Sequence, residues 1–200
     1  TATSECLAAP DCAALPGPAT RPGRRLTRLA VLMSDLAEDS VLEVARRLRF
    51  SKHDGRWLAT LVSAWRSLDE LMSSKLATGP LSGAEVRRWV ATVGRPNLAA
   101  FFRLAAARWA VRRRAEGAVK APPQRAVAGL YRRCLRASLA EPVDLRDLAI
   151  DGDDLRQAGV PAGPSLGKLL SALLDKVLED PAINTRERLL AETRRLMGGE

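Results

Sequence analysis

Apolar residues recur along this chain at three- and four-residue steps, with no sustained two-residue alternation of the kind that marks a half-buried strand. The clearest run is Leu166, Leu169, Leu170, Leu173, Leu174, Val177 and Leu178, which share one helical face while Lys168, Ser171, Asp175, Lys176 and Glu179 take the other. Upstream, the stretch from Arg24 predicts a helix with Leu26, Leu29, Ala30, Met33 and Leu36 inward. Ser40 with Glu43 predicts a capping box for a second helix, and Ser51 with Asp54 a weaker one for a third. The third helix buries Trp57, Leu61, Val62, Trp65, Leu68 and either Leu71 or Met72. Gly79-Pro80 breaks the pattern, Ser82 and Glu85 start again, and Gly94 with Pro96 stops that helix. Asn97 caps a helix running to Gly117, and Pro122-Pro123 open another with Val127, Leu130, Tyr131, Cys134, Leu135 and Leu139 on one side. A short acidic helix ends at Gly159, and Asn184 with Glu187 forms a last capping box. The fold class is all-α, an irregular multi-helix bundle of roughly eight to nine helices. No repeat appears at the roughly 33–47-residue periods of helical solenoids.

Residues 1–23 carry Pro10, Pro16, Pro18 and Pro22 with little periodicity and read as a linker or poorly ordered tail. Residues 24–120 then form a helical body region and 121–200 a helical C-terminal tail region. The hydrophobic share of 46% in 200 residues supports a real core, and only 4% aromatics with abundant Ala and Leu favours helices. The longest apolar candidate, Leu98 to Val111, is interrupted by Arg103 and Arg108, so a membrane span is not expected. The chain opens with Thr1 and lacks the order of a signal peptide, which reads as a piece of a longer protein. Cys6, Cys12 and Cys134 form no CxxC pair, which suits a reducing, cytoplasmic setting and speaks against a disulfide framework or zinc site.

A net charge of +9 points to a polyanion, most naturally nucleic acid. Arg112, Arg113 and Arg114 crowd one helix end, with Lys120 and Arg125 following; Arg132, Arg133 and Arg136 stud the next helix, and Arg186, Arg188, Arg194 and Arg195 the last. Each is also what a solvated helix face or a helix C-terminus would carry; as a set they could track phosphates. The elbow Gly159 to Lys168 adds a second candidate. Gly163-Pro164 starts the leucine-striped helix, and the free N–H groups of Ser165, Leu166 and Gly167 beside Lys168 would suit an anion. Gly167 would admit a close backbone, whether RNA or a crossing helix. The acidic run Asp151, Asp153, Asp154 lacks the closing Glu of a calcium loop, with Ala162 at the twelfth position, and reads as helix-start chemistry. The single histidine, His53, cannot build a metal site alone and reads as a surface or capping residue.

Leu145, Asp147, Leu148, Ile150, Gly152, Asp154 and Leu155, then Gly159, Pro161, Gly163, Pro164, Leu166 and Gly167, then Asn184, Glu187, Leu189 and Leu190 form a connected motif. It resembles the C-terminal region of bacterial CCA-adding tRNA nucleotidyltransferases and their poly(A) polymerase relatives. The stretches RLAVLMSDL and VLEVARRLRFSKHDGRWLATLV are similar to the region after the neck of that family. The resemblance implies a body and tail that hold the acceptor and T arms of tRNA while a catalytic head, expected upstream in the same polypeptide, adds CCA. Mg2+ and CTP/ATP would belong to that head, and the implied RNA-binding residues are Gly163, Ser165, Gly167, Lys168, Arg112, Arg113, Arg114, Lys120, Arg132, Arg133, Arg186 and Arg188. No catalytic residue, metal or cofactor is expected in this chain, which should be inactive alone. Where some relatives carry a His-Asp metal-hydrolase signature, this chain has Met33-Ser34-Asp35. Two other readings stand beside this one: a degenerate His-Asp phosphohydrolase relative, and a purely structural helical scaffold.

Overall fold

A computed structural model describes residues 21–117 and 121–197. Among them are nine α-helices and no strand: α1 Arg21–Leu32, α2 Glu38–Arg47, α3 Lys52–Thr78, α4 Gly83–Val93, α5 Leu98–Glu116, α6 Gln124–Ala140, α7 Gly152–Gln157, α8 Pro164–Glu179 and α9 Arg186–Met197. The all-α expectation holds. Two compact units divide these residues, one running up to Leu81 and from Thr92 to Arg133, the other combining Ser82–Ala91 with the residues from Cys134 onward.

In the first unit, α3 is the central helix and packs on α1, α2 and α5. Ser51 opens it by accepting the Asp54 N–H at 3.0 Å, and Thr78 ends it before Gly79. Gly55 sits where α2 lies against α3; an added Cβ would stand 3.4 Å from the Ala45 methyl. Of the two candidates near its end, Met72 is buried and Leu71 is half exposed. The core is aromatic. Trp65 packs at 6.4 Å on Phe101 and 5.6 Å on Trp109, Phe101 on Phe102 at 5.5 Å, and Phe102 on Tyr131 at 5.2 Å, all tilted or edge-on as ring quadrupoles prefer. The indole N–H of buried Trp109 needs an acceptor and donates to Asp69 at 2.7 Å.

Several local expectations are corrected. Ser40 is not a cap: α2 starts at Glu38, where Glu38 and Asp39 already complement the helix dipole, and Glu43 instead receives Arg46 and Arg47. Asn97 leads into α5 but with helical backbone angles, so its amide reaches back to the Val93 carbonyl at 3.0 Å and serves the end of α4. Leu139 is 80% exposed, and Leu36 and Leu135 are also on the surface; Ala137 and Ser138 take the buried positions at that end of α6.

The second unit holds the motif. Leu148, Ile150, Leu155, Val160, Leu173, Val177 and Leu189 form its buried cluster, flanked by Leu166, Leu169, Leu170, Leu174, Ile183 and Leu190. The leucine stripe is therefore core. Ser82 and Glu85 close a reciprocal capping box on α4, at 2.8 Å and 3.1 Å. Arg87, one turn on and only 8% exposed, donates to the carbonyls of Leu178 at 2.7 Å and Glu179 at 2.9 Å and to Glu141 at 2.6 Å. Those two carbonyls lie in the last turn of α8 and have no acceptor role within the helix, so Arg87 acts as its C-terminal cap.

Candidate nucleic-acid interface

The elbow is built from the residue types it requires. Asp151 caps α7 by accepting the N–H groups of Asp153 at 2.8 Å and Asp154 at 3.0 Å, which hold its carboxyl below the usual range. Asp154 returns the bond to the Asp151 N–H at 3.1 Å. The aspartate run is thus spent on helix initiation. Gly159 and Gly163 have φ of 93° and 140°, angles that L side chains rarely adopt, and Pro164 occupies the first position of α8. The Leu166 N–H turns back to the Gly163 carbonyl at 3.1 Å, so it is not one of the free donors expected there. Ser165, Gly167 and Lys168 are exposed, and Lys168 has no ion-pair partner among the described residues.

Of the two readings left open at Gly167, a crossing helix is not found among the described residues, where a Cβ would meet nothing within 4 Å. The close approach occurs at Gly152, where a Cβ would stand 3.1 Å from a Leu166 methyl. Asn184 does not cap α9. Its carbonyl accepts the Ala149 N–H at 2.9 Å and its amide donates to the Asp147 carbonyl at 2.8 Å, clamping the segment before α7. The Asn amide can do this because it carries a donor and an acceptor side by side, as a peptide group does. Thr185 takes the helix-opening place instead, accepting the Arg188 N–H at 3.4 Å, and Glu187 is exposed in the first turn.

The arginines divide into two groups. Arg112 forks onto Asp69 at 3.1 Å and 2.5 Å; the carboxylate raises its pKa and ties it to the Trp109 network. Arg113 donates to the Pro122 carbonyl, Arg186 pairs with Asp154, Arg188 donates to the Ala182 carbonyl at 2.9 Å, and Arg133 to the Leu81 carbonyl at 2.9 Å. Arg112 thus bridges α5 to α3, and the other four brace turns and helix ends. Arg114, Arg125 and Arg132 are exposed and have no hydrogen-bond or ion-pair partner among the described residues. Lys120 lies outside the described residues, as do Cys6 and Cys12.

At the position of the hydrolase signature, the Ser34 hydroxyl is buried and donates to the Val31 carbonyl at 2.8 Å, and Asp35 pairs with Arg108 at 2.6 Å. His53 is exposed early in α3. Among the described residues, no three His, Cys, Asp or Glu side chains come together as metal ligands. No described helix is long and apolar enough to cross a membrane.

Fold and motif together define an all-helical module in which the apolar residues of the C-terminal motif form the buried cluster of the second unit, while Ser165, Gly167 and Lys168 of its elbow are exposed. Residues 139–193 match the family model described as tRNA nucleotidyltransferase domain 2, which supports the C-terminal region of the tRNA nucleotidyltransferase family for this segment, as the resemblance implied. No curated protein and no solved structure matches the chain. The folded geometry, not the match, shows the roles that the motif as letters hid. Gly152 and Asn184 serve packing and clamping, and Arg87, outside the match, was invisible because its partners lie 91 and 92 residues away.

Proposed function

We propose that this chain is the tRNA-holding helical portion of a CCA-adding tRNA nucleotidyltransferase, acting in the cytoplasm on the acceptor and T arms while a head domain of the same polypeptide carries Mg2+, CTP and ATP. The match of residues 139–193 to the tRNA nucleotidyltransferase model carries the reading. What supports it beyond that is Gly167. Most other motif residues have a structural task, whereas Gly167, exposed near the start of α8 beside Lys168, has no packing partner among the described residues, and Lys168 no ion-pair partner among them. A glycine without a packing partner in the first helical turn suits a ligand backbone that must come close. In this role the chain's residues bind and orient: Lys168, Arg114 and Arg132 meet phosphates, and recognition is by shape rather than by base sequence.

The test is the affinity of the 200-residue chain for a tRNA transcript at two salt concentrations. With about three phosphate contacts on a duplex arm, affinity should fall roughly 40-fold between about 50 mM and about 200 mM salt. No binding at the lower salt would end the reading.

A further inference from the structure

The middle of α6 carries a glycine that the described fold does not need. Gly129 lies in the interior of a 17-residue helix, and a Cβ built on it meets nothing within 4 Å among the described residues. Glycine is the least favourable interior helix residue after proline, so the position gives up helix stability with no packing return. Its neighbours on the same face are basic. Arg125 is four residues before it, and Arg132 and Arg133 are three and four after, the spacings that bring helical side chains together. The opposite side of α6 is buried through Val127, Leu130 and Tyr131, so this face points away from the core. Arg125 and Arg132 have no partner among the described residues, and Arg133 uses one guanidinium nitrogen on the Leu81 carbonyl while remaining exposed. No Asp or Glu occurs in sequence between Glu116 and Glu141, so nothing local neutralises the face. On α2, by contrast, Arg46 and Arg47 are both held by Glu43.

We propose that the face formed by Arg125, Gly129, Arg132 and Arg133 is a landing surface for an RNA sugar–phosphate backbone, lying outside the segment matched to the tRNA nucleotidyltransferase family. The inference rests on the tRNA-holding role proposed above and extends the phosphate contact proposed there at Arg132 to a defined helix face with a glycine floor. The bare glycine lets the backbone settle on the helix, and planar guanidinium forks on either side close on phosphate oxygens. Charge complementarity selects a polyanion, and the glycine floor selects a smooth, closely approaching chain over a protein surface with side chains of its own.

Gly129→Gln tests this without changing charge, because Gln is a good helix former. The variant should melt no lower than wild type, yet bind a tRNA transcript about tenfold more weakly, while Arg132→Ala should lower the salt slope by about 1. Gly129→Gln binding as tightly as wild type, with wild type binding well, overturns the landing face and leaves the tRNA-holding role standing. Failure of the wild-type chain to bind tRNA at low salt overturns both. Polyglutamate displacing the RNA as effectively as polyuridylate would overturn RNA as the occupant.

Discussion

Replacing Arg87 by Met keeps most of the apolar stem and removes the guanidinium that closes the C-terminal end of α8. Three bonds go with it, to the carbonyls of Leu178 and Glu179 and to the carboxylate of Glu141, at 2.7, 2.9 and 2.6 Å. Hydrogen bonds involving a charged group contribute about 1.5–3 kcal/mol each, but they are not additive, and Glu141 is exposed enough to be resolvated. The Leu178 carbonyl fares worse, since its bond is buried at the negative end of the helix dipole, whereas the Glu179 bond is only part-buried. A loss of about 3 kcal/mol follows, which at about 2–4 °C per kcal/mol lowers Tm by about 6–12 °C. Urea denaturation followed by circular dichroism measures the first quantity and thermal melting the second. Arg87→Lys should recover less than half, because one ammonium on a flexible stem cannot serve three acceptors spread around a planar fork. Below its melting temperature the Met variant should bind tRNA as wild type does, since Arg87 is buried and each of its guanidinium nitrogens already donates within the protein. A Tm within a degree of wild type would refute the capping role, and a folded variant that loses RNA affinity would move Arg87 from structure to ligand contact.

Asn184→Ala removes the partners of the exposed Ala149 N–H and the half-buried Asp147 carbonyl and should cost about 1 kcal/mol in urea denaturation; no measurable change would mean water replaces the clamp without loss. The Asp151 carboxyl is held below its ordinary value by two backbone N–H groups, so its stabilisation is complete above about pH 4 and lost as pH falls further. Asp151→Asn can still accept those N–H groups, so its Tm should fall less steeply with acid than that of wild type; parallel curves would contradict this. Gly152→Val should lower Tm because its side chain meets the Leu166 methyl, whereas Gly152→Ala should be nearly neutral, Leu166 being free to shift by a few tenths of an ångström. Equal melting of the two variants would remove the packing explanation.

What the sequence revealed was local. The face from Leu166 to Leu178 reads directly as core because helical periodicity is a short-range signal, and Gly163-Pro164 marks the start of α8 for the same reason. The Ser82–Glu85 box reads correctly too, as both partners lie within one turn. The identical logic misplaces Ser40 and Asn184, because a capping residue type is only an offer. At Ser40 the acidic pair before it started the helix earlier, and at Asn184 a long-range backbone clamp claimed the amide. The candidate site suffered the same limit. Twelve basic or elbow residues looked alike as letters, yet Arg112, Arg113 and Arg186 are occupied by partners that only folding brings near. Gly167 and Gly129 carry their information by having no neighbour among the described residues, which no sequence pattern can state.

The central claim, that this chain holds the acceptor and T arms, is tested most directly by comparing its affinity for an acceptor–T-arm minihelix with that for an anticodon stem-loop of equal length at low salt. The account predicts that the minihelix binds nearly as well as whole tRNA and at least about tenfold more tightly than the stem-loop, since shape recognition needs the stacked arm. Equal affinity for both hairpins would reduce the chain to a generic polycation and contradict the account.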